Sequence, residues 1–316
     1  MQTALASSRD VRAQQQTRFK RRTLDGLTII LFLAPALILF LIFVIYPILQ
    51  SVYYSLFNWK GLGPAVDFAG LSNYQQILSD QIFLKAILNG LLIVALSLTL
   101  QLPLSLALAI MVGRDLPGRV FFRTIFFLPY VFSEVITAIM WQSLYNPDPD
   151  RGLFNALLVI IPGVKAQAWL GDTNIVMACI FAVLTWKYFG LHMLLYLAGL
   201  QNIPTEIEEA ARIDGANRRQ LLTYITLPLL GGVIRTTVYL SVVGSLQQFI
   251  LVWIMTKGGP VNASEVMATY MYRFAFVRFW FGYGCAVALV MFLICLGFSL
   301  IYQNTIARRP DYLGGV

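Results

Sequence analysis

Long apolar stretches alternate with short polar ones along the whole chain, and the longest apolar stretches carry no charge. Leu27–Ile48 is a run of 22 residues without a charge, and Ala86–Val112 is a second such run. A helix of about 20 apolar residues crosses the hydrocarbon core of a bilayer, so each is predicted to span a membrane. Further spans are predicted over 124–145, 175–200, 229–255 and 281–306. The third holds one acid, Glu134; the fourth holds Lys187 and His192; the fifth has Arg235 near its start. Leu153–Ile161 is apolar but too short to cross. The connection 49–84 is rich in aromatic and turn residues, and Trp59, Tyr74, Trp169 and Tyr272 suit a membrane–water interface. The connection 256–280 opens with Thr256-Lys257-Gly258-Gly259-Pro260, a reversal by turn chemistry or a contact for an external protein.

Between the fourth and fifth spans lies Gln201–Pro228, a polar segment with seven charged residues. It reads as ordered. Thr205 with Glu208 fits a capping box, in which two side chains satisfy orphan backbone donors at a helix start. Pro204 cannot continue a helix backwards. Gly215 can turn left-handed after the helix end, and 216–226 can restart a second helix before Pro228. A plain connector between spans would need no such punctuation.

Composition agrees with a polytopic membrane protein: 58% hydrophobic and 12% charged, with a mean hydropathy of +0.72, against about a quarter charged in soluble domains. The net charge of +8 would suit a nucleic-acid partner if it were patterned as a binding face. Its distribution says otherwise. Six spans put both termini on one side, and that side holds fourteen of the 23 Lys and Arg, while the opposite connections hold seven. The positive-inside bias therefore assigns the termini and the central segment to the cytoplasm, and no nucleic acid is required. Residues 1–26 form a basic cytoplasmic tail, 27–306 the six-span domain with its loop at 201–228, and 307–316 a second cytoplasmic tail. The first span is retained, since its length exceeds that of a cleavable signal.

The chemistry the chain lacks narrows its role. No GxxxxGK[ST] loop is present to cradle phosphates. A single histidine leaves no triad or multi-histidine metal site, and Cys179, Cys285 and Cys295 have no metal or disulfide spacing. A membrane-embedded sugar transferase would need a carboxylate cluster, and Asp148 with Asp150 is the one close acidic pair outside the central segment. A stand-alone channel or carrier would work without ATP. Glu134 and Lys187 are costly at membrane depth; they serve either as an ion pair across a cavity or as ligand contacts.

The central segment also resembles a known signature. Glu209-Ala210-Ala211, Gly215 after three residues, Ile225 after nine more and Leu227-Pro228 are similar to the EAA loop of permease subunits in bacterial binding-protein-dependent ABC importers. Leu128-Pro129-Tyr130, Ala198-Gly199-Leu200 and Thr256–Pro260 extend the resemblance to the first-permease type of carbohydrate importers. The resemblance implies an all-α integral membrane fold of type I, six helices with both termini inside, in a multi-pass bacterial inner-membrane protein. It implies a subunit that is not itself an enzyme and needs no cofactor, with ATP and magnesium held by partner subunits. The implied partners are a second permease, a cytoplasmic ATPase dimer, an external solute-binding protein, a sugar and the lipid bilayer. Glu209, Ala210, Ala211, Asp214 and Gly215 would form the coupling helix that docks on the ATPase. Tyr130, Glu134, Lys187, Tyr188, Leu191, Ser241, Ser245 and Gln248 would contact substrate, with Trp186 or Tyr130 for stacking. Ser241, Ser245 and Gln248 share one face of a helix, for sugar hydroxyls or for interhelical hydrogen bonds. A sugar phosphate or polyol is the alternative cargo.

Overall fold

A computed structural model describes residues 30–113 and 118–307. The basic tail 1–26, Arg114 and the Arg308–Arg309 end lie outside the described residues. Those described are helical, apart from connections and one isolated antiparallel bridge, Phe57 to Phe68. They fall into two compact units, divided between Tyr54 and Ser55. The first contains α1, Ile30–Tyr54, an apolar helix of 25 residues with a π-helical turn at Leu41–Ile45.

The second unit holds the remaining elements. Helix α2 is Ser72–Ser79 and α3 is Gln81–Gly113. Asp80 starts α3 by accepting from the Ile82 amide at 2.7 Å, the favoured use of a short acid at a helix N-terminus. Two helices follow, α4 (Arg119–Val131) and α5 (Glu134–Leu144), then a short α6 (Leu153–Leu158) and α7 (Val176–Gln201). The central segment gives α8 (Thr205–Ile213) and a second helical stretch, α9, over 218–229. Then come α10 (Gly231–Leu246), α11 (Ile250–Thr256), α12 (Met267–Tyr272) and α13 (Phe281–Tyr302). Among the described residues five helices are long and apolar enough to cross a membrane, and the bent pair α4–α5 makes a sixth if counted as one.

That pair corrects the continuous third span expected over 124–145. Its halves meet at 96°. Phe132 and Ser133 are extended, and the Ser133 hydroxyl caps α5 by accepting from the Ile136 amide. Backbone groups freed at such a break have no water to bond inside a bilayer, so protein must satisfy them. Lys187 on α7 does this, donating to Phe132 O at 2.6 Å and Tyr130 O at 3.4 Å.

Helix α7 organises the core. Its start packs against α11 through Val176, Ile180, Leu184, Leu251 and Val252, and its end against Ala109 through Met193 and Leu197. Close approach depends on Gly190, where an added Cβ would stand 2.0 Å from Phe126 O on α4. Small residues at helix contacts are how membrane helices gain packing when lipid is as apolar as the partner. A second cluster joins α3, α10, α12 and α13 through Phe83, Leu246, Tyr270, Tyr283 and Val287.

The 256–265 turn is tightly built. Lys257, Gly258, Val261 and Asn262 all have positive φ. Glu265, fully buried, lies 2.5 Å from Arg273 Nη2, while the guanidinium N–H groups point at Lys257 O (2.6 Å) and Asn262 Oδ1 (2.7 Å). Burial pushes the Glu265 carboxyl up; the Thr269 hydroxyl and Arg273 act against that rise.

Candidate functional site

A cavity of 220 Å³ lies among α3, α4, α7 and α10. Six of the eight residues predicted to contact substrate line it: Tyr130, Tyr188, Leu191, Ser241, Ser245 and Gln248. Gln248 reaches it differently from the expectation. Helix α10 ends at Leu246, and Gln248 sits in the three-residue break before α11 rather than on the same helical face.

The other two serve the break in the third span. Lys187 is 3% exposed and donates to the last carbonyls of α4, while Glu134 occupies the first turn of α5 and accepts a very short bond from the Tyr188 hydroxyl. Cations are stabilised at helix C-termini and carboxylates at N-termini, so each charge sits where the interrupted helix favours it. Lys187 Nζ also lies 5.8 Å from the Tyr130 ring and 5.7 Å from the Tyr188 ring, within cation–π range. No hydrogen bond or ion pair joins Lys187 to Glu134, and neither lines the cavity. Trp186 is likewise engaged elsewhere, stacked on Phe132 at 6.5 Å and 6°.

The structure adds residues that sequence reasoning passed over. Ser97 and Gln101 of α3 line the cavity, joined to Ser241 by a 2.7 Å bond between the Ser97 and Ser241 hydroxyls and a very short bond from Ser97 to Gln101. They stand at i and i+4 across a π-helical turn, Ser97–Gln101. The same serine-and-amide spacing that marked α10 was present in α3. His192 also lines the cavity; it is 4% exposed and its Nδ1 has no hydrogen-bond partner. A buried polar atom without a partner costs about 1–3 kcal/mol, which a ligand hydroxyl would offset.

The central loop has another character. Its first helix starts one residue earlier than expected. Pro204 takes the cap position and Thr205 is already helical, so the Thr205–Glu208 box does not form. The capping box is at Asn217 and Gln220 instead, each side chain bonding the other's amide at 2.8 and 2.9 Å, and α9 begins at Arg218 rather than Ala216. Helix α8 ends in a Schellman motif, with Gly215 N to Arg212 O at 3.1 Å and Ala216 N to Ala211 O at 2.9 Å. Gly215, at φ +87, has nothing within 4 Å of a built Cβ. Conformation, not space, selects glycine there. Glu209, Ala210, Asp214 and Gly215 are exposed, and Ala211 is half-buried. Beside them Ile213 is 86% and Tyr224 77% exposed. These large apolar side chains have no core to enter, and the sequence pattern did not single them out.

Residues 101–309 match the family described as binding-protein-dependent transport system inner membrane component. A probable ABC transporter permease protein of Pyrococcus horikoshii is 38% identical over 89% of this chain and 96% of its own length. The diacetylchitobiose uptake system permease protein NgcF of Streptomyces coelicolor is 33% identical over 94% of this chain and 88% of its own length. A crystal structure of a bacterial ABC transporter involved in the import of the acidic polysaccharide alginate superposes with a TM-score of 0.80 at 24% identity, covering 92% of this chain and 99% of that one. With its apolar spans, polar-lined cavity and exposed EAA loop, the chain belongs to the inner-membrane permease family of binding-protein-dependent ABC transporters.

Proposed function

We propose that the chain is one of two permease subunits that carry a carbohydrate across the inner membrane, with ATP hydrolysed by a separate dimer docked on the central loop. The observation that carries the substrate class is the chemistry of the cavity. Its polar lining is Ser97, Gln101, Ser241, Ser245, Gln248, His192 and two tyrosines, with no carboxylate, ammonium or guanidinium among the lining residues. Hydroxyls, carboxamides and an imidazole both donate and accept, which suits a neutral ligand dense in hydroxyls. The diacetylchitobiose relative supports the same class. A phosphate-bearing sugar fits less well, because Lys187 is turned to backbone carbonyls. At 220 Å³ the cavity is below the roughly 300–1,000 Å³ of typical ligand sites, so a ligand larger than one ring requires the spans to part.

Glu209, Ala210, Ala211, Asp214 and Gly215 form the surface that meets the ATPase. The two alanines permit close approach, the two acids pair with basic groups, and Ile213 and Tyr224 supply apolar anchors of the kind that dominate interfaces. Helix α8 is joined by only a short turn to α7, which carries Lys187, Tyr188 and His192. A push on α8 is thereby transmitted to the cavity wall. Domain closure in the ATPase would open the cavity outward to receive sugar from the binding protein, and hydrolysis would return it inward.

The test is uptake by the complete complex in liposomes, with its binding protein, across labelled disaccharides. Import of at least one, reduced severalfold by Gln248→Ala without loss of assembled complex, is the expected result. No import of any saccharide, or import indifferent to Ser241, Gln248 and His192 substitutions together, would overturn the carbohydrate assignment of this cavity.

A further inference from the structure

A second cavity lies on the side opposite the central loop and takes no part in the reading above. It measures 440 Å³, twice the membrane-depth cavity. Three aromatic rings line it, Trp59, Trp280 and Tyr283, together with the carboxamides of Asn58, Asn73 and Gln76 and a single charge, Lys60.

Its walls are fixed by hydrogen bonds rather than by loose loop packing. The Gly282 amide donates to Trp59 O at 2.9 Å, and a Cβ on Gly282 would stand 1.9 Å from Phe57 O. The 57–63 turn therefore lies directly on the start of α13, and only glycine permits it. The indole N–H of Trp59 donates to Gly63 O at 3.0 Å, and Asn58 is held on both its main chain (2.9 Å) and side chain (3.1 Å) by Asp67. Asn73 is 4% exposed, and its Nδ2 donates to Ser55 O at 2.8 Å and Phe57 O at 3.3 Å. Opposite, the Trp280 amide bonds Phe274 O at 2.9 Å, and its ring meets Tyr283 edge-on, 6.4 Å between centroids. The Tyr283 hydroxyl is 2.8 Å from that of Tyr270, which bonds Asp80 Oδ2 at 2.7 Å. The aromatic faces are thus presented in set positions before any ligand arrives.

We propose that this cavity is an outer saccharide subsite, in which a pyranose ring lies against an indole face and its equatorial hydroxyls bond the carboxamides. The proposal rests on the carbohydrate reading given above and deepens it. A pyranose has an apolar C–H face and a polar rim; a flat aromatic surface bordered by groups that both donate and accept is its complement. A cationic ligand is disfavoured by Lys60 and by the lack of any carboxylate in the lining. A subsite here would hold the sugar released by the binding protein at the mouth of the path, before the spans part to admit it to the smaller cavity.

The experiment is saturation-transfer NMR and tryptophan fluorescence on the assembled complex in nanodiscs, without binding protein. The probes are maltose, lactose, N,N′-diacetylchitobiose and an alginate oligosaccharide. The expected result is a saturable signal with at least one probe, weakened at least tenfold by Trp59→Ala and by Gln76→Ala, and unchanged by Lys165→Ala at an exposed position outside both cavities. Gln76 is exposed, so its substitution tests the site even if Trp59→Ala disturbs the turn. No saturable signal from any probe overturns the subsite, as does a signal indifferent to both outer substitutions. A fall in binding-protein-stimulated ATPase with no saccharide signal would assign the cavity to protein docking and overturn it too. Uptake by the same complex separates the two levels: import without outer binding sinks the subsite alone, whereas no import of any probe sinks the carbohydrate reading itself.

Discussion

The membrane-depth cavity and the central loop make opposite use of their polar residues. In the cavity the polar groups bond one another: Ser97 to Gln101 and Ser241, Gln101 to Leu184 O, and Tyr188 to Glu134. In the loop the residues of interest face solvent, and the bonds nearby are local, such as Arg212 to Glu208 at 3.3 Å and the Asn217–Gln220 box. Cavity residues therefore hold the fold as well as line the cavity, whereas loop residues are spared structural work and are exposed to solvent. Substitutions in the first region should disturb stability and transport together. In the second they should disturb transport alone.

Four substitutions break or sharpen this contrast, in descending order of effect. Gly190→Leu places a side chain where even a Cβ would meet Phe126 O at 2.0 Å; backbone cannot yield as a side-chain tip can, and we expect no assembled permease by size-exclusion chromatography. Lys187→Met removes the donors to Phe132 O and Tyr130 O. An unsatisfied group costs several kcal/mol in lipid, so a loss of about 2–4 kcal/mol is expected, read as a lowered melting temperature in detergent with uptake falling in parallel. Parallel loss is the signature of a positioning residue; unchanged melting with lost uptake would make Lys187 a direct ligand contact. Ile213→Asp, at a position 86% exposed, should leave melting within about 0.5 kcal/mol of wild type, as surface changes do. It should lower coupled ATPase activity and uptake at least tenfold, and equal losses of stability and transport would erase the distinction. Ser241→Ala deletes one hydroxyl bonded to Ser97. A net cost of about 1 kcal/mol and a severalfold rise in the uptake KM are expected, measured by melting and by initial rates.

What was legible in the sequence follows from which signals are local. The spans are runs without charge, and α3, α7 and α13 lie within a few residues of the predicted limits. The α10 stripe was legible because Ser241 and Ser245 repeat at a helical spacing, and the same test would have found Ser97 and Gln101. The break at Phe132–Ser133 was not legible. Pro129 and Ser133-Glu134 are compatible with a kinked but continuous span, and the bend depends on Lys187, 55 residues away from Phe132 in the chain. Reading Glu134 and Lys187 as a pair was reasonable for two charges on successive spans, but it could not anticipate two helix ends for them to occupy. At the loop, proline displaced the expected cap by one residue, while the glycine turn survived because its φ requirement is local. Ile213 and Tyr224 escaped notice because an apolar residue in an amphipathic helix reads as core until its neighbours are known.

The placement of Lys187 and Glu134 has an electrical consequence. Lys187 and Glu134 are both anchored at the bend of the third span, one at each helix end, and neither lies in the cavity lining. An uncharged cargo passing through that lining moves no charge across the bilayer. A membrane potential supplies about 2.3 kcal/mol per elementary charge per 100 mV, and here it has nothing to grip. If the cargo is the neutral saccharide proposed above, its passage is indifferent to voltage, and import would persist in a cell whose proton gradient has collapsed for as long as nucleotide lasts.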